Sequence, residues 1–435
     1  MLTPSRPTSR SQSLVVIVTL VALVLWFVLP QLHRIETHTT GDFGHFYFAA
    51  KAMAAGDDIY SSWHRGYIYP PLIAFLYLPL TPLTEETAAL VALGINVVLL
   101  LLAAWIGARE LIERFGALPA DWTTVGFLVL AGMVLTADKI KGELQMWQTN
   151  ALVLLLFTLA LRFLDRWPVL AGLALGFAFN IKYLPLVVLP YLCLRGRWVV
   201  LGSFVAGIVL FAFLPAVIIG WDVNLDYLTV AYRGLLRLFG IHVGPEQAAN
   251  IEGIRVDFSV SITSAFAREF GGNDSLLLPF ALAGLVGLAA LGIAYWLYRR
   301  QGVAFVYRPD GSRPGDPAVR ILTAVEWSGL IVAALIFSPQ TNTRHLVLLL
   351  LVQMTGVALL MVPRTGVPRT PLVLGILLLT LGLVLPTPGM GMGDYLYYWR
   401  YHGGVSWCAL AMYGTLLWTG LRTMTAATSL GELSA

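Results

Sequence analysis

Long apolar stretches alternate with short polar segments along almost the whole chain. Most of the stretches contain 16 to 24 residues, and as helices these cross a hydrocarbon core of about 30 Å. The pattern predicts helices near residues 14–29, 86–108, 121–137, 150–164, 168–181, 184–196, 198–220, 275–298, 321–338, 345–363, 370–386 and 405–421. We therefore predict an all-α polytopic membrane protein with about 12 transmembrane helices, forming a single membrane-embedded domain over residues 1–435.

Polar connections of unequal length join the predicted helices. If the N-terminus is cytoplasmic, the predicted spans put residues 31–85 and 221–274 on the outer side, together with a shorter outer loop at 387–404. They put a basic segment at 299–320 in the cytoplasm. The stretch Pro71–Leu83 is apolar but has only about thirteen residues and contains Pro79 and Pro82. It is too short to span, so we expect it to lie in the interface or to re-enter the membrane.

Composition strengthens the membrane assignment. Hydrophobic residues make up 58% of the chain and charged residues only 12%, whereas charged residues approach a quarter of a soluble domain. A soluble globular enzyme is thereby excluded. The two cysteines, Cys193 and Cys408, lie in separate apolar segments, so neither a disulfide framework nor a thiolate metal site is indicated.

The distribution of charge predicts the orientation. The first apolar run follows Arg6 and Arg10, which indicates a retained signal anchor with a cytoplasmic N-terminus. The predicted spans put both termini in the cytoplasm, with sixteen arginines against seven acidic residues there (net +9) and twelve cations against sixteen acids outside (net −4). All four lysines and all seven histidines fall outside, so we expect titratable chemistry on the outer side.

The first outer segment contains a candidate base. Gly41-Asp42-Phe43 opens a helix-compatible run that closes at Gly56. Asp42 could cap this helix through its side chain. Alternatively, its carboxylate at the membrane surface could accept a proton from a sugar hydroxyl.

Two further segments carry candidate ligands for a polar substrate. Tyr67-Ile68-Tyr69-Pro70-Pro71 is either part of an interfacial aromatic belt or the lining of a sugar site. In the segment 139–150, Gln148 and Asn150 either cap the next helix or hydrogen-bond a ligand. We expect His45, Tyr47, Tyr69, Gln148 and Asn150 to contact the sugar or the acceptor.

Cations near the membrane surface suggest a site for an anion. Lys182 lies between two short apolar segments, and at membrane depth a lysine costs roughly 2.5–3.5 kcal/mol unless it has a partner. It either extends to the interface or binds a lipid-linked phosphate. Arg344 and His345 are adjacent in the turn Ser338–His345; they are either ordinary helix-end residues or a charged fork and a proton donor for phosphate oxygens.

The order of these motifs resembles that of a known family. Asp42, Tyr69-Pro70-Pro71, Gln148-Thr149-Asn150, Lys182-Tyr183-Leu184-Pro185 before Arg195 and Trp198, and Ser338-Pro339 before His345 are similar to the bacterial polyprenyl-phosphate-mannose-dependent alpha-mannosyltransferases with the GT-C fold, which include the phosphatidylinositol-mannoside mannosyltransferases. The similarity extends from about residue 40 to 350. The chain departs from the family pattern at Asn342, where relatives often carry Trp, and at Arg344, where they often carry His.

The resemblance implies an inverting transferase in the bacterial plasma membrane, with its active site on the extracytoplasmic side. Asp42 matches the base, and Lys182 and His345 match positions near the donor phosphate. If Lys182, Arg344 and His345 surround the departing phosphate, its departure needs no metal, so we predict metal independence and no cofactor. The expected partners are the bilayer, a polyprenyl-phosphate-sugar donor, whose sugar the resemblance implies to be mannose, and a glycolipid or glycan acceptor, without nucleic acid.

Two other function classes remain open from the sequence. A lipid-linked sugar transporter or flippase also has about twelve helices, but the chain has no visible repeat symmetry. A polysaccharide ligase using lipid-diphosphate donors calls for arginines around a large outer loop, and the segment 221–274 partly satisfies this. No Walker A loop, HExxH or GxSxG motif is present.

Overall fold

A computed structural model describes residues 10–37, 41–62, 66–239, 241, 243–244, 249–271, 275–308, 317–363, 366–385 and 393–429. In this part of the chain the fold is all-helical, and its only β-pairing is an isolated bridge between Ser259 and Asn342. The α-helices are α1 Arg10–Glu36, α2 Phe43–Ala55, α3 Pro71–Tyr77, α4 Glu85–Phe115, α5 Trp122–Leu135, α6 Ala137–Met146, α7 Asn150–Phe163, α8 Pro168–Ile181, α9 Val188–Leu194, α10 Trp198–Phe213, α11 Ala216–Ile219, α12 Trp221–Leu238, α13 Ile262–Phe270, α14 Leu277–Arg300, α15 Pro317–Ile336, α16 Leu349–Met361, α17 Thr370–Val384, α18 Gly393–Tyr401 and α19 Gly404–Ser429. Short 3₁₀ helices at Leu78–Leu80, Leu184–Val187 and Thr343–Leu348 precede or follow helices of this set.

Six of these segments are long and apolar enough to cross a membrane. They are Leu14–Glu36, Glu85–Phe115, Trp198–Ile219, Leu277–Arg300, Val319–Ile336 and Thr343–Met361. A seventh span is possible where α5 and α6 meet at a bend of 75°. The shorter apolar helices include α7, α8, α17 and the segments Pro71–Leu80 and Leu184–Leu194. The chain is thus a polytopic helical membrane protein, but the prediction of twelve spans is not confirmed.

The two large segments predicted to lie outside contain more helix than the apolar pattern indicates. Residues 31–85 include α2 and α3, and α2 begins and ends where Asp42 and Gly56 predict. The segment 221–274 contains α12 and α13, neither of which the sequence analysis anticipated. Tyr227 of α12 donates a hydrogen bond to the Asp57 carbonyl (2.9 Å), so the two outer segments are packed together.

Helices α8 and α10 pack in close contact through small residues. A Cβ added at Gly176 would lie 2.6 Å from the Gly207 carbonyl carbon, and one at Gly172 would lie 2.4 Å from the Val200 carbonyl oxygen. Such spacing lets two helix backbones approach closely, as small-xxx-small patterns do in membranes. The packing matters for the site because α8 ends at Ile181, directly before Lys182.

Several arginines of the predicted cytoplasmic side are buried in ion pairs. Arg114 is 2.7 Å from Glu110 and 3.0 Å from Asp165, and Arg197 is 2.5 Å from the same aspartate. Arg195 pairs with Glu326 inside α15, which also accepts hydrogen bonds from three tyrosine hydroxyls. Each of these buried charges thus has a partner of opposite sign, as buried charges require. Residues 309–316 of the basic segment lie outside the part that the structure describes, as do Arg6, Arg364, His38, His64 and His242.

Candidate active site

Gly41 fixes the position of Asp42. Its backbone is left-handed (φ 61°), and a Cβ there would lie 2.9 Å from the Met146 Cα, so only glycine fits without strain. The Asp42 amide then donates to the Met146 carbonyl (3.2 Å) at the end of α6. This contact brings the start of α2 against the turn that follows α6.

The Asp42 side chain does not cap its helix. Asp42 occupies the N-cap position of α2, but no side-chain capping bond is formed there. Instead, the carboxylate oxygen Oδ2 lies 2.8 Å from Arg344 Nη1 and accepts a hydrogen bond from the Gln148 amide nitrogen. Both partners of the ion pair are 28% exposed, so the carboxylate remains accessible to a bound molecule.

The turn that carries Arg344 is held by the second outer segment. Val260 N–H donates to the Thr341 carbonyl (2.8 Å), and Thr341 N–H donates to Ser259 Oγ (3.0 Å). Asn342 then caps the 3₁₀ helix by accepting from the Arg344 amide (3.3 Å). Residues 259–261 therefore determine where Arg344 meets Asp42.

A strained turn after α6 positions Gln148 and Asn150. Trp147 has a left-handed backbone (φ 49°), a conformation that costs a non-glycine residue about 1–3 kcal/mol. Its indole is fully buried and donates to the Ala89 carbonyl of α4 (3.1 Å), which holds the turn in place. The side chains of Gln148 and Asn150 do not cap α7, whose N-cap Thr149 also forms no capping bond.

Lys182 is buried rather than extended to the interface. Only 8% of the residue is exposed. Its ammonium donates to Asn150 Oδ1 (2.5 Å) and to Gln148 Oε1 (3.4 Å), and it lies 5.9 Å from the centre of the Tyr69 ring. Lys182 occupies the break between α8 and the segment Leu184–Leu194. Burial lowers the pKa of its ammonium there, although the nearby carboxylates of Glu143 and Asp42 oppose the shift.

Glu143 belongs to the same cluster, although the sequence analysis did not select it. Its fully buried carboxylate accepts from Asn150 Nδ2 (2.6 Å) and from the Ala151 amide (3.0 Å). The only signal in the sequence was an acidic residue in a segment that also contains Lys139 and Lys141. Such a segment is typical of a solvated surface, and the burial of Glu143 follows from its tertiary contacts.

The tyrosines of the first outer segment divide into two roles. Tyr67 is buried, and its hydroxyl donates to the Pro70 carbonyl (2.6 Å), so it shapes the turn before α3. Tyr69 is half-buried beside the cluster, with its hydroxyl 3.5 Å from Gln148 Oε1. Of the two rings, Tyr69 therefore lies where a sugar-site residue is expected.

An apolar groove leads away from the charged cluster. Its volume is about 410 Å³. Lys182, His345 and Gln340 are among the few polar residues that line it, and the rest of the wall is mainly apolar: Ile68, Pro70, Ile181, Leu184, Leu186, Val187, Leu235, Leu238, Phe239, Ile251, Ala333, Ala334, Phe337 and Pro339, with Tyr69, Tyr183 and Ser338. His345 Nδ1 is buried and has no hydrogen-bond partner in the described structure. The groove thus combines an apolar wall with an imidazole nitrogen and an ammonium.

Two residues predicted to contact sugar have other contacts in this structure. The Tyr47 ring stacks on Phe43, and its hydroxyl donates to the Leu83 carbonyl (2.7 Å). The His45 imidazole lies so close to Gly66 that a Cβ at that glycine would overlap it. Tyr47 has a packing role here because its one polar atom is already bonded to the backbone, and these contacts give no support to its prediction as a sugar ligand.

No metal site is visible in the described residues. Among them, no group of three or more His, Cys, Asp and Glu side chains is arranged to hold an ion. Metal independence itself stays a prediction.

Comparisons with known proteins agree with the resemblance. The profile of glycosyltransferase family 87 matches residues 67–308. This range contains Tyr69, Gln148, Asn150 and Lys182, and it ends before Arg344. A curated relative, the polyprenol-phosphate-mannose-dependent alpha-(1-2)-phosphatidylinositol mannoside mannosyltransferase of Mycobacterium tuberculosis, is 27% identical over 286 residues.

That alignment covers 62% of this chain and 58% of the relative, so the chain spans about three fifths of the relative's length. No solved structure matches the chain significantly. The family profile, however, covers more than half of the 435 residues. The chain belongs to glycosyltransferase family 87.

Proposed function

We propose that this protein is an inverting mannosyltransferase with the GT-C fold, which transfers mannose from a polyprenyl-phosphate donor to a hydroxyl of a glycolipid. The family membership supports glycosyl transfer, and the relative's name supports this donor and a phosphatidylinositol mannoside acceptor. The proposed catalytic domain comprises the whole chain, with residues 31–85 supplying the base.

One observation carries the proposal: a carboxylate, a guanidinium and an ammonium form a hydrogen-bonded chain beside an apolar groove, into which the ammonium and an imidazole face. Arg344 pairs with Asp42, Gln148 links Asp42 to Lys182, and Lys182 and His345 line the groove. A polyprenyl phosphate has the same division into an anionic head and an apolar chain. Its first isoprene units therefore suit the groove, and its phosphate suits Lys182 and His345.

The proposed reaction is a single displacement at the anomeric carbon. The acceptor hydroxyl attacks C1 from the face opposite the phosphate and gives its proton to the Asp42 carboxylate. The bond between C1 and the phosphate oxygen breaks, and polyprenyl phosphate leaves with the electron pair. Cations near the departing oxygens stabilise the negative charge that develops in the transition state.

Arg344 has two proposed contacts, one before and one after donor binding. Its guanidinium forms an ion pair with Asp42 in this structure. A phosphate in the groove offers the guanidinium a bidentate partner. We propose that Arg344 turns to that phosphate, which leaves the Asp42 carboxylate available as a base.

The proposed site faces the extracytoplasmic side of the plasma membrane, with both termini in the cytoplasm. Helix α4 contacts the site region at Ala89 and the arginine-rich ion-pair network at Glu110. These residues are twenty-one positions apart, or about 31 Å along a helix, close to the thickness of a hydrocarbon core of about 30 Å. This separation supports a location of the basic network and the proposed site on opposite faces, and the positive-inside rule favours a cytoplasmic position for the network.

The test is an Asp42→Asn variant in proteoliposomes with radiolabelled polyprenyl-phosphate mannose and a phosphatidylinositol mannoside acceptor. Loss of a general base is expected to lower the transfer rate by about 10²-fold or more. Asp57→Asn is the matched control, because Asp57 is exposed just beyond the other end of α2, and it is expected to transfer at the wild-type rate. A folded Asp42→Asn variant with wild-type transfer would contradict the assignment of the base.

A further inference from the structure

Glu143 is the one fully buried carboxylate of the cluster, and the proposed reaction leaves it without a role. It reaches Lys182 through a single side chain. The two polar atoms of the Asn150 amide face in opposite directions: Nδ2 donates to Glu143 (2.6 Å), and Oδ1 accepts from the Lys182 ammonium (2.5 Å). An amide that donates to a carboxylate on one side must present its oxygen on the other.

The charges around Lys182 balance in this structure. Asp42 and Glu143 are its nearby carboxylates, Arg344 is the second cation, and the titratable side chains of His345, Tyr69 and Tyr183 lie beside it in the described part of the chain. The two carboxylates thus lie near two basic groups: the Arg344 guanidinium, which is permanently charged, and the Lys182 amine, which is a cation only when it is protonated. Because an isolated buried ammonium is costly, removing either carboxylate favours the neutral amine.

We propose that Glu143 is a positioning residue for donor binding: it orients the Asn150 amide toward Lys182 and keeps the Lys182 ammonium charged in its buried position. This inference rests on the proposed function of the groove as the donor site. Glu143 does not touch the donor phosphate in this account. It acts through Asn150, and the strained turn at Trp147 holds the start of α7 where this contact is possible.

A Glu143→Gln substitution removes the negative charge of the side chain but keeps its size and shape. A Glu143→Gln side chain still accepts from the Ala151 amide through its carbonyl oxygen, so the start of α7 keeps that bond. It no longer carries the charge that favours the Lys182 ammonium. A purely structural role for Glu143 therefore predicts no change in pH dependence, whereas the positioning role predicts one.

The experiment measures kcat/KM for the polyprenyl-phosphate donor in detergent-solubilised full-length protein across about pH 6 to 10. Donor use requires the charged ammonium, so kcat/KM in the wild type falls as the pH rises through the pKa of Lys182 in the free protein. Loss of the neighbouring carboxylate lowers that pKa further. We expect Glu143→Gln to move the alkaline fall down by about one pH unit, with a roughly tenfold loss on that limb.

Two further variants complete the test. In the double variant Glu143→Gln/Lys182→Arg, the guanidinium stays charged, so the alkaline fall is expected to disappear. Glu110→Gln removes another buried carboxylate, one that pairs with Arg114 away from the site. It is expected to lower the thermal midpoint without moving the alkaline fall.

The outcomes distinguish this inference from the proposed function. A wild-type protein that does not use the donor contradicts the proposed function. A wild type with an alkaline fall that Glu143→Gln leaves in place contradicts the role of Glu143 alone. If Glu143→Gln does not fold, Asn150→Ala removes the hydrogen-bonded connection while Glu143 keeps its charge, and a donor kcat/KM equal to that of the wild type in this variant would contradict the positioning role.

Discussion

The sequence leaves two interpretations of Lys182 open, and the structure shows the environment of its side chain. Its apolar neighbours indicate either a side chain that reaches the interface or a fixed cation, and the sequence does not separate the two. The structure buries the ammonium against Asn150 and Gln148. A buried cation with hydrogen-bond acceptors on one side and a groove on the other is arranged for an anionic ligand.

A Lys182→Gln variant is expected to fold but to use the donor poorly. Glutamine can still donate to Asn150, while the charged contact with phosphate is lost. A hydrogen bond to a charged group contributes about 1.5–3 kcal/mol, which corresponds to a roughly 10- to 150-fold loss of kcat/KM for the donor. Lys51→Gln is the control because Lys51 is exposed on α2; equal donor use by all three proteins would remove Lys182 from the proposed site.

Much of the candidate site can be found from residue types alone. Asp42, Gln148, Asn150, Lys182, Arg344 and His345 are polar or charged residues at the ends of apolar stretches, where unusual composition draws attention. Their mutual contacts span up to 302 positions in the chain, and no local pattern encodes such pairing. The sequence does not identify Glu143 as part of the cluster, and it predicts a sugar contact for Tyr47 that the contacts in the structure do not support. Both results have the same cause, because burial depends on which helices pack together.

At the scale of elements, the interface of α8 and α10 places Lys182. The apolar pattern predicted both helices, but not that glycines bring them into contact. Asn180, near the end of α8, donates to the Ile208 carbonyl of α10 (3.0 Å), so the contact extends almost to Lys182. A change in the separation of the two helices should therefore move the ammonium relative to Asn150.

A Gly176→Val substitution is expected to weaken both stability and donor binding. The new side chain would collide with the α10 backbone, and overpacking of this kind typically costs about 1–3 kcal/mol. Thermal unfolding and donor kcat/KM should both fall. Gly202→Val on α10 is the matched control, because a Cβ there meets no atom within 4 Å, and it should behave as wild type. Equal thermal midpoints for the two variants would refute the packing argument.

Across the whole molecule, the few charged residues form separate groups with different surroundings. The arginines near Glu110, Asp165 and Glu326 are paired inside the protein. The Asp42–Arg344 pair stays partly exposed, and Gln148 connects it to Lys182 in the groove wall. Hydropathy and charge counts predict the helices and the side on which charges gather. They do not distinguish ion pairs buried in the interior from an ion pair that a ligand can reach. That difference depends on the three-dimensional packing.

The whole-molecule account includes a prediction about metals. If Lys182, Arg344 and His345 together stabilise the departing phosphate, transfer needs no divalent cation. Transfer in proteoliposomes treated with a chelator should match that of untreated samples. Activity that disappears with the chelator and returns when a divalent ion is added would contradict this prediction.

The most direct measurement of the central claim is an experimental structure of the full-length protein with bound polyprenyl phosphate, the product expected to remain in the groove. The account predicts the phosphate within hydrogen-bond distance of Lys182 Nζ, Arg344 turned away from Asp42, and the first isoprene units against Leu235 and Phe337. A phosphate bound elsewhere, for example at the arginines near Glu110, with the groove empty and Arg344 still paired with Asp42, would contradict it.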